Sequence, residues 1–289
     1  VSVALVTDST AYLPEDLITE LGISIVPLHV IADGVEYTEG VDLTDAELVR
    51  LLKHARELTT SRPSPRALLD AYERLIGQGA SEIVSVHLSA GLSGTCDAAS
   101  LAARGADVPV HVVDSQSMGM TLGHAVLTGA RLARAGADGQ TVAAAVRERA
   151  RAGDMFFYVH TLEFLRRGGR IGNAAAFLGS ALAVRPLLRL SDGRIEPLEK
   201  VRTTGRALGR LVGLAGRAAD EANARVAVTV HHLGDEERAQ RLAGDLVDRV
   251  GDRLAEDDVW VRPMGAVAAV HLGPGAMAVS VSPEPHPAA

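Results

Sequence analysis

Short β-branched runs alternate with longer amphipathic patterns along almost the whole chain, and this alternation constrains the fold more than any other feature. Val3–Val6, Ile25–Val30, Glu82–His87 and Val108–Val113 read as strands. Helical periodicity fills the spaces between them, at Pro14–Leu21, Asp45–His54, Pro65–Ile76, Asp97–Arg104, Gly119–Ala135 and Thr141–Arg151. A strand-helix-strand rhythm of this kind predicts an α/β fold, with mostly parallel sheets flanked by helices. Thr44 and Glu47 form a capping box that marks one helix start.

Gly153-Asp154 interrupts the pattern before a new strand, Met155–Val159, and the expected domain boundary lies there. This predicts two α/β domains, 1–153 and 154–289, with a flexible tail from about residue 283. In the second, Leu187–Leu190 and Arg194–Val201 are joined by Asp192-Gly193, a dipeptide suited to a two-residue hairpin turn. A helix at Thr204–Asp220, a strand at Val226–His231, a helix at Asp235–Val250 and strands at Val259–Arg262 and Ala276–Ser282 complete it. A chain of 289 residues is long enough for two cores of ordinary size.

Composition removes several function classes. The net charge is −7 and there are only nine aromatic side chains, which argues against a general basic surface or a stacking platform for nucleic acid. A single cysteine, Cys96, excludes an intrachain disulfide and a thiolate metal site, and points to a reducing, cytoplasmic setting. The start of the chain lacks a basic segment and reads as a strand rather than a signal peptide. From Pro263 to Pro283 there is no acidic or basic residue apart from His271, but Gly273-Pro274-Gly275 divides the stretch into pieces far short of the ~20 residues that span a bilayer.

Nucleotide motifs are also missing. The two lysines, Lys53 and Lys200, do not lie in a phosphate-binding glycine loop, and no G-x-G-x-x-G follows the first strand. His231-His232 suggests a metal-dependent phosphoesterase, but neighbouring strand residues point to opposite faces and no aspartate precedes them, so no metal is expected.

Four hydroxyl-rich loops stand where strands end and helices begin: 7–10, 59–65, 89–95 and 114–117. Asp8, Ser9, Ser89, Thr95, Asp114 and Ser115 are suited both to capping the helices that follow and to supporting a site. The third loop is the most informative, since Gly91 and Gly94 let backbone N–H groups and the Ser93 hydroxyl approach an anion at a helix start. A nucleophile elbow would need glycine where Thr95 stands, so Ser93 reads as a donor. A Ser-dependent acyl hydrolase using Ser93 with His271 as base is the competing reading. Leu165-Arg166-Arg167-Gly168-Gly169-Arg170-Ile171 sets three cations around a turn, and Lys200 and Arg202 add two more; against an acidic background they suggest a docking patch for an anionic partner.

Taken together, Thr7-Asp8-Ser9-Thr10, Thr60-Ser61 with Pro63, Leu88-Ser89-Ala90-Gly91-Leu92-Ser93-Gly94-Thr95, Asp114-Ser115, the Arg-Gly-Gly-Arg segment and His271-Leu272-Gly273-Pro274-Gly275 resemble the bacterial DegV family of fatty-acid-binding proteins. The resemblance spans nearly the whole chain. It implies a lipid-binding protein, not an enzyme, with a long-chain fatty acid enclosed between two α/β domains and no cofactor. Its carboxylate would be presented to a separate fatty-acid kinase that makes the acyl phosphate for phospholipid synthesis, with room for transient contact with a membrane surface. Thr60, Ser61, Ser93, Gly94 and His271 match the family's carboxylate-binding positions, and Arg166, Arg167 and Arg170 its kinase-docking surface. Arg62 and Ala90 depart from it, where a neutral polar residue and a serine are expected. The uncharged segments Met118–Ala130 and Gly172–Val184 are the expected walls of the acyl tunnel.

Overall fold

The computed structural model describes residues 2–178, 184–255 and 258–285. The first half runs β1 (Val3–Asp8), α1 (Glu15–Leu21), β2 (Ser24–Val26), β3 (His29–Ala32), β4 (Val35–Thr38), α2 (Asp45–His54) and β5 (Leu58–Ser61). It continues through α3 (Pro65–Gly77), β6 (Glu82–His87), α4 (Thr95–Ala103), β7 (Val110–Asp114), α5 (Gly119–Arg134) and α6 (Gly139–Ala152). The second half runs β8 (Asp154–Tyr158), α7 (Glu163–Arg167), β9 (Arg185–Ser191), β10 (Arg194–Val201), α8 (Thr204–Glu221) and β11 (Val226–His232), then α9 (Glu236–Val250), β12 (Trp260–Pro263), α10 (Ala266–Leu272) and β13 (Met277–Pro283). The α/β class is the expected one, and the Thr44–Glu47 capping box is formed.

Three sheets organise the chain. The first has the order β2-β1-β6-β7 and all its pairings are parallel. The second, β10-β9-β8-β13-β11-β12, differs from the parallel arrangement expected: only β11 and β12 run parallel. The Asp192-Gly193 turn closes β9 onto β10 with Ser191 opposite Arg194, and so short a link can only join antiparallel strands. β13 enters antiparallel between β8 and β11, so helices separate fewer of these strands than the rhythm suggests.

A third sheet, β4-β3-β5, was not expected at all. The run expected as one strand over Ile25–Val30 breaks at Pro27, which has no N–H to give a ladder. The piece before it pairs with β1, and the piece after it leaves for the small sheet. Asp33-Gly34 then turns β3 into β4, with φ of 49° and 83°, the left-handed pair that a two-residue hairpin requires.

Side-chain alternation sorts the second sheet's two faces. On β8, Phe156 and Tyr158 enter the core covered by α8 and α9, whereas Met155 and Phe157 enter a different core with Leu165, Ala268 and Leu272. Helix α5 packs against both β1 and β13, so its uncharged stretch, which ends at Ala130, fills the space between the two large sheets. It does not form the tunnel wall expected of it: only Met118, at its start, reaches the cleft described below. The other expected wall runs into residues 179–183, which lie outside the described residues, as does most of the expected tail, at 286–289. Among the described residues, no helix is long and apolar enough to cross a membrane.

Candidate functional site

In the parallel sheet, the chain moves outward from β1 to β2 on one side and through β6 to β7 on the other. The order therefore reverses between β1 and β6, and open sheets of this kind place ligands outside the carboxyl ends of the strands at that point. Asp8 ends β1 there, and the loop 88–95 leaves β6 beside it.

The loop is fixed by the residues that the sequence placed around it. Asp8 accepts from the Leu88 N–H at 2.9 Å, and Asp114 accepts from the N–H groups of Ala90 and Gln116 at 3.1 and 2.8 Å. Ser89 donates to the Gly193 carbonyl at 2.7 Å and accepts from the Gly91 N–H. Ser115 and Ser117 close a turn on each other, and Ser9 donates to Glu39 while accepting from the Leu28 N–H. Of the six side chains suited to supporting a site, five, Asp8, Ser9, Ser89, Asp114 and Ser115, are occupied in building the loops. Ser93 lies 2.9 Å from the Thr95 hydroxyl, and Gly94, the N-cap of α4, brings no side chain to that helix's first turn. Its uncapped amides can receive an anion.

A cleft opens above this loop, with about 550 Å³ of empty space counted out into the open solvent at its mouth. Leu28, Leu88, Leu92, Met118, Leu165, Ile195, Val267, Ala268 and Leu272 supply its apolar wall, and Thr60, Ser61, Arg62, Ser93, Arg170 and His271 its polar part. His271 Nε2 and Thr60 Oγ1 share a hydrogen bond of 2.9 Å. Arg170 donates to the carbonyls of Leu92 and Gly168 at 3.0 and 2.7 Å. The Arg62 guanidinium lies over Gly94, and the His271 ring over Gly168, each so close that a Cβ on the glycine would collide with it. Thr60 and Ser61 stand on β5, paired with Val30 and His29, and His271 on α10, which packs on β3 and β5; neither element was anticipated.

Burial, and then the nearby Arg170 charge, lower the His271 pKa to about 4, so the ring is neutral at ordinary pH. With its proton on Nε2 it donates to Thr60 and leaves the Thr60 hydroxyl proton for a ligand oxygen. Among the described residues, the cleft lining contains two guanidiniums and no carboxylate. It can therefore receive an apolar molecule with one anionic end.

The hydrolase reading requires a base beside Ser93. His271 instead bonds Thr60, Ser93 bonds Thr95, and among the described residues the buried His271 Nδ1 has no partner to orient it. Among the described residues, no cluster of side chains is suited to holding a metal. His231 is buried, accepts from the Met120 N–H at 3.2 Å, and is lowered to about 3, chiefly by burial.

The basic residues expected on the docking patch divide. Arg166 and Arg167 are exposed on α7, and both donate to Glu163, whose pKa these hydrogen bonds lower. Lys200 sits 4.6 Å from the centre of the Phe177 ring, and Arg202 lines the same shallow depression as Lys200. Arg170 departs from the exposed position expected: it turns inward to the cleft. Sequence reasoning missed this role, and that of the α10 face, although Val267 and His271, and Ala268 and Leu272, are spaced four apart as one helical face requires.

The DegV family profile, described as an uncharacterised protein of the DegV family, matches residues 2–284. A DegV domain-containing protein of Streptomyces coelicolor is 49% identical over 281 residues, which cover 97% of this chain and 98% of that one. A DegV family protein from Thermus thermophilus, solved for its fatty acid binding, has a TM-score of 0.90 at 34% identity, covering 98% of this chain and 100% of that one. DegV of Bacillus subtilis, a fatty acid binding protein, gives 0.88 at 30% identity, covering 98% and 99%. The chain belongs to the DegV family.

Proposed function

We propose that this chain is a non-enzymatic carrier that encloses a long-chain fatty acid in the cleft and presents its carboxylate to a separate kinase for conversion to the acyl phosphate. The observation that carries this reading is the cleft itself: an apolar wall with a polar part that, among the described residues, holds two arginines and no acid. Thr60, Ser61, Ser93 and the Gly94 end of α4 would receive the carboxylate, with His271 aligning Thr60. Arg62, which like Ala90 departs from the family pattern, adds a cation at the same place. A carboxylate leaving water needs such fixed donors, because an unpaired charge in an apolar setting is strongly disfavoured. At ~0.8 kcal/mol per buried CH₂, a sixteen-carbon tail contributes on the order of 10 kcal/mol before entropic costs.

In this reading the domains 1–153 and 154–289 close on the ligand from two sides, and both contribute to the lining. Arg166, Arg167, Lys200 and Arg202 form the docking surface for the kinase, and the carrier works in the cytoplasm, exchanging its ligand near the membrane. Organic extraction of the purified protein followed by mass spectrometry should recover about one fatty acid per chain. A protein that copurifies with none, and that takes up none from a palmitate solution, would not be a carrier.

Ser93→Ala should weaken fatty-acid binding without loss of fold, since among the described residues the Ser93 hydroxyl is bonded to Thr95, its near neighbour, and the Ser93 backbone bond to Ser89 is kept. A hydrogen bond to a charged group contributes ~1.5 to 3 kcal/mol, so a displacement titration should show the Kd rising roughly tenfold to a hundredfold. An unchanged Kd removes Ser93 from the carboxylate site.

A further inference from the structure

Glu39 follows β4, outside the cleft, and is only 5% exposed. Its hydrogen bonds come from neutral donors: the Ser9 hydroxyl on one oxygen and, at 2.8 Å on the other, the N–H of Val267 in the first turn of α10. Burial, reinforced by the Asp8 charge, outweighs those hydrogen bonds and pushes its pKa up to about 7. Retaining a carboxylate in such surroundings is unfavourable unless the contact it makes matters.

The contact is a close one. At Gly265, the N-cap of α10, a Cβ would collide with the Glu39 carboxylate and lie 2.7 Å from the Tyr12 ring. The helix start is thus seated directly on Glu39 and Tyr12. One turn further along α10, on the face of Val267, stands His271, whose Nε2 bonds Thr60. Any shift of the helix along its axis moves that imidazole by the same amount.

We propose that Glu39 is a positioning residue for the cleft: its carboxylate, seated against the first turn of α10, sets the place of that helix and so holds His271 within reach of Thr60. The positioning claim concerns this chain's own residues; only its effect on ligand affinity rests on the carrier reading.

The test is the titration of the His271 ring, followed by its carbon-bound proton resonances in the full chain and assigned by their loss in His271→Gln. In the wild type the ring should titrate near 4, as its burial requires. Glu39→Ala should move it upward toward the ordinary ~6.5, because a displaced helix exposes the ring, and should raise the Kd for palmitate about tenfold or more. Glu39→Gln, whose amide oxygen still accepts from the Val267 N–H, should leave both near their wild-type values. Should Glu39→Ala fail to fold by circular dichroism, Glu39→Asp, too short to reach Ser9 and Val267 together, takes its place. An unmoved His271 titration in the shortened variant overturns the proposal, and so does an equal shift in Glu39→Gln. If the wild type binds no palmitate, the carrier reading fails while the ring titration still decides the role of Glu39.

Discussion

Arg170→Glu is expected to reduce palmitate affinity by about a hundredfold or more, and Arg167→Glu to leave it within about twofold. The two arginines are three residues apart in one basic run, and sequence alone treats them alike. Arg167 is exposed and bonds Glu163, so its loss removes a surface pair of the kind that contributes little to stability. Arg170 lines the cleft and ties the Leu92 carbonyl, next to Ser93, to the Gly168 carbonyl beneath His271. A glutamate there loses both ties and sets a second negative charge against the ligand's own. Unit charges ~4 Å apart interact by about 4 kcal/mol at an effective dielectric of ~20, and partial exposure of Arg170 reduces that figure. About 3 kcal/mol remains a fair expectation, which corresponds to roughly a hundredfold in Kd. Hexadecanol, which has the same tail without the charge, should bind both variants and the wild type comparably. Loss of hexadecanol binding by Arg170→Glu would locate the defect in the fold of the loop and not in charge.

The same pair separates binding from presentation. Arg167→Glu should bind palmitate but support little kinase-coupled acyl phosphate formation, since an exposed cation acts mainly on the approach and orientation of a charged partner. Binding of the wild type to the kinase should also weaken as salt rises, as exposed charges are screened beyond ~8 Å near physiological ionic strength. Normal acyl phosphate formation by Arg167→Glu would remove α7 from the docking surface.

How much of this was legible in the sequence depended on whether a residue's role was local. The capping box at Thr44 and the hairpin at Asp192-Gly193 form as expected because each is decided within a few residues. Asp33-Gly34 carried the same signal as Asp192-Gly193, but Pro27 had already redirected the chain, and a run of β-branched residues across a proline looks continuous until the missing N–H is counted. Thr60 and His271 could be paired with a carboxylate only through resemblance. They lie 211 positions apart, and their contact depends on α10 packing on β3 and β5. Arg170 shows the opposite limit: its chemistry was plain, but whether it faces solvent or the cleft is decided by a carbonyl 78 residues away. No local pattern records that choice.

Asp8→Ala should produce the largest loss of stability among these variants, by about 3 to 5 kcal/mol, without Asp8 ever touching the ligand. The carboxylate is fully buried and accepts four hydrogen bonds: from the Thr10 N–H and hydroxyl at 3.1 and 2.6 Å, the Leu88 N–H at 2.9 Å, and His87 Nδ1 at 3.1 Å. Behind His87 the network continues, with Ser85 2.8 Å from Nε2 and Tyr72 2.8 Å from Ser85, all fully buried. A carboxylate at its end orders the protons one way, from Tyr72 to Ser85, from Ser85 to His87, and from His87 to Asp8. Alanine leaves four donors around β1 and β6 in the core without this acceptor, of which the Thr10 hydroxyl is free to turn elsewhere, and each buried unsatisfied donor costs ~1 to 3 kcal/mol unless water enters. For a chain of this size the melting temperature should fall by on the order of 10 °C. Asp8→Asn keeps one accepting oxygen but turns an NH₂ toward either Thr10 or Leu88, so it should fall between alanine and the wild type. The stability loss and the binding loss are linked through Leu88, which begins the loop that carries Ser93. Binding by Asp8→Ala should therefore weaken only in proportion to its unfolding, and recover when measured well below the melting temperature. A variant that melts like the wild type yet binds no fatty acid would instead make Asp8 part of the carboxylate site, and the four hydrogen bonds that occupy it would have to be given up when ligand enters.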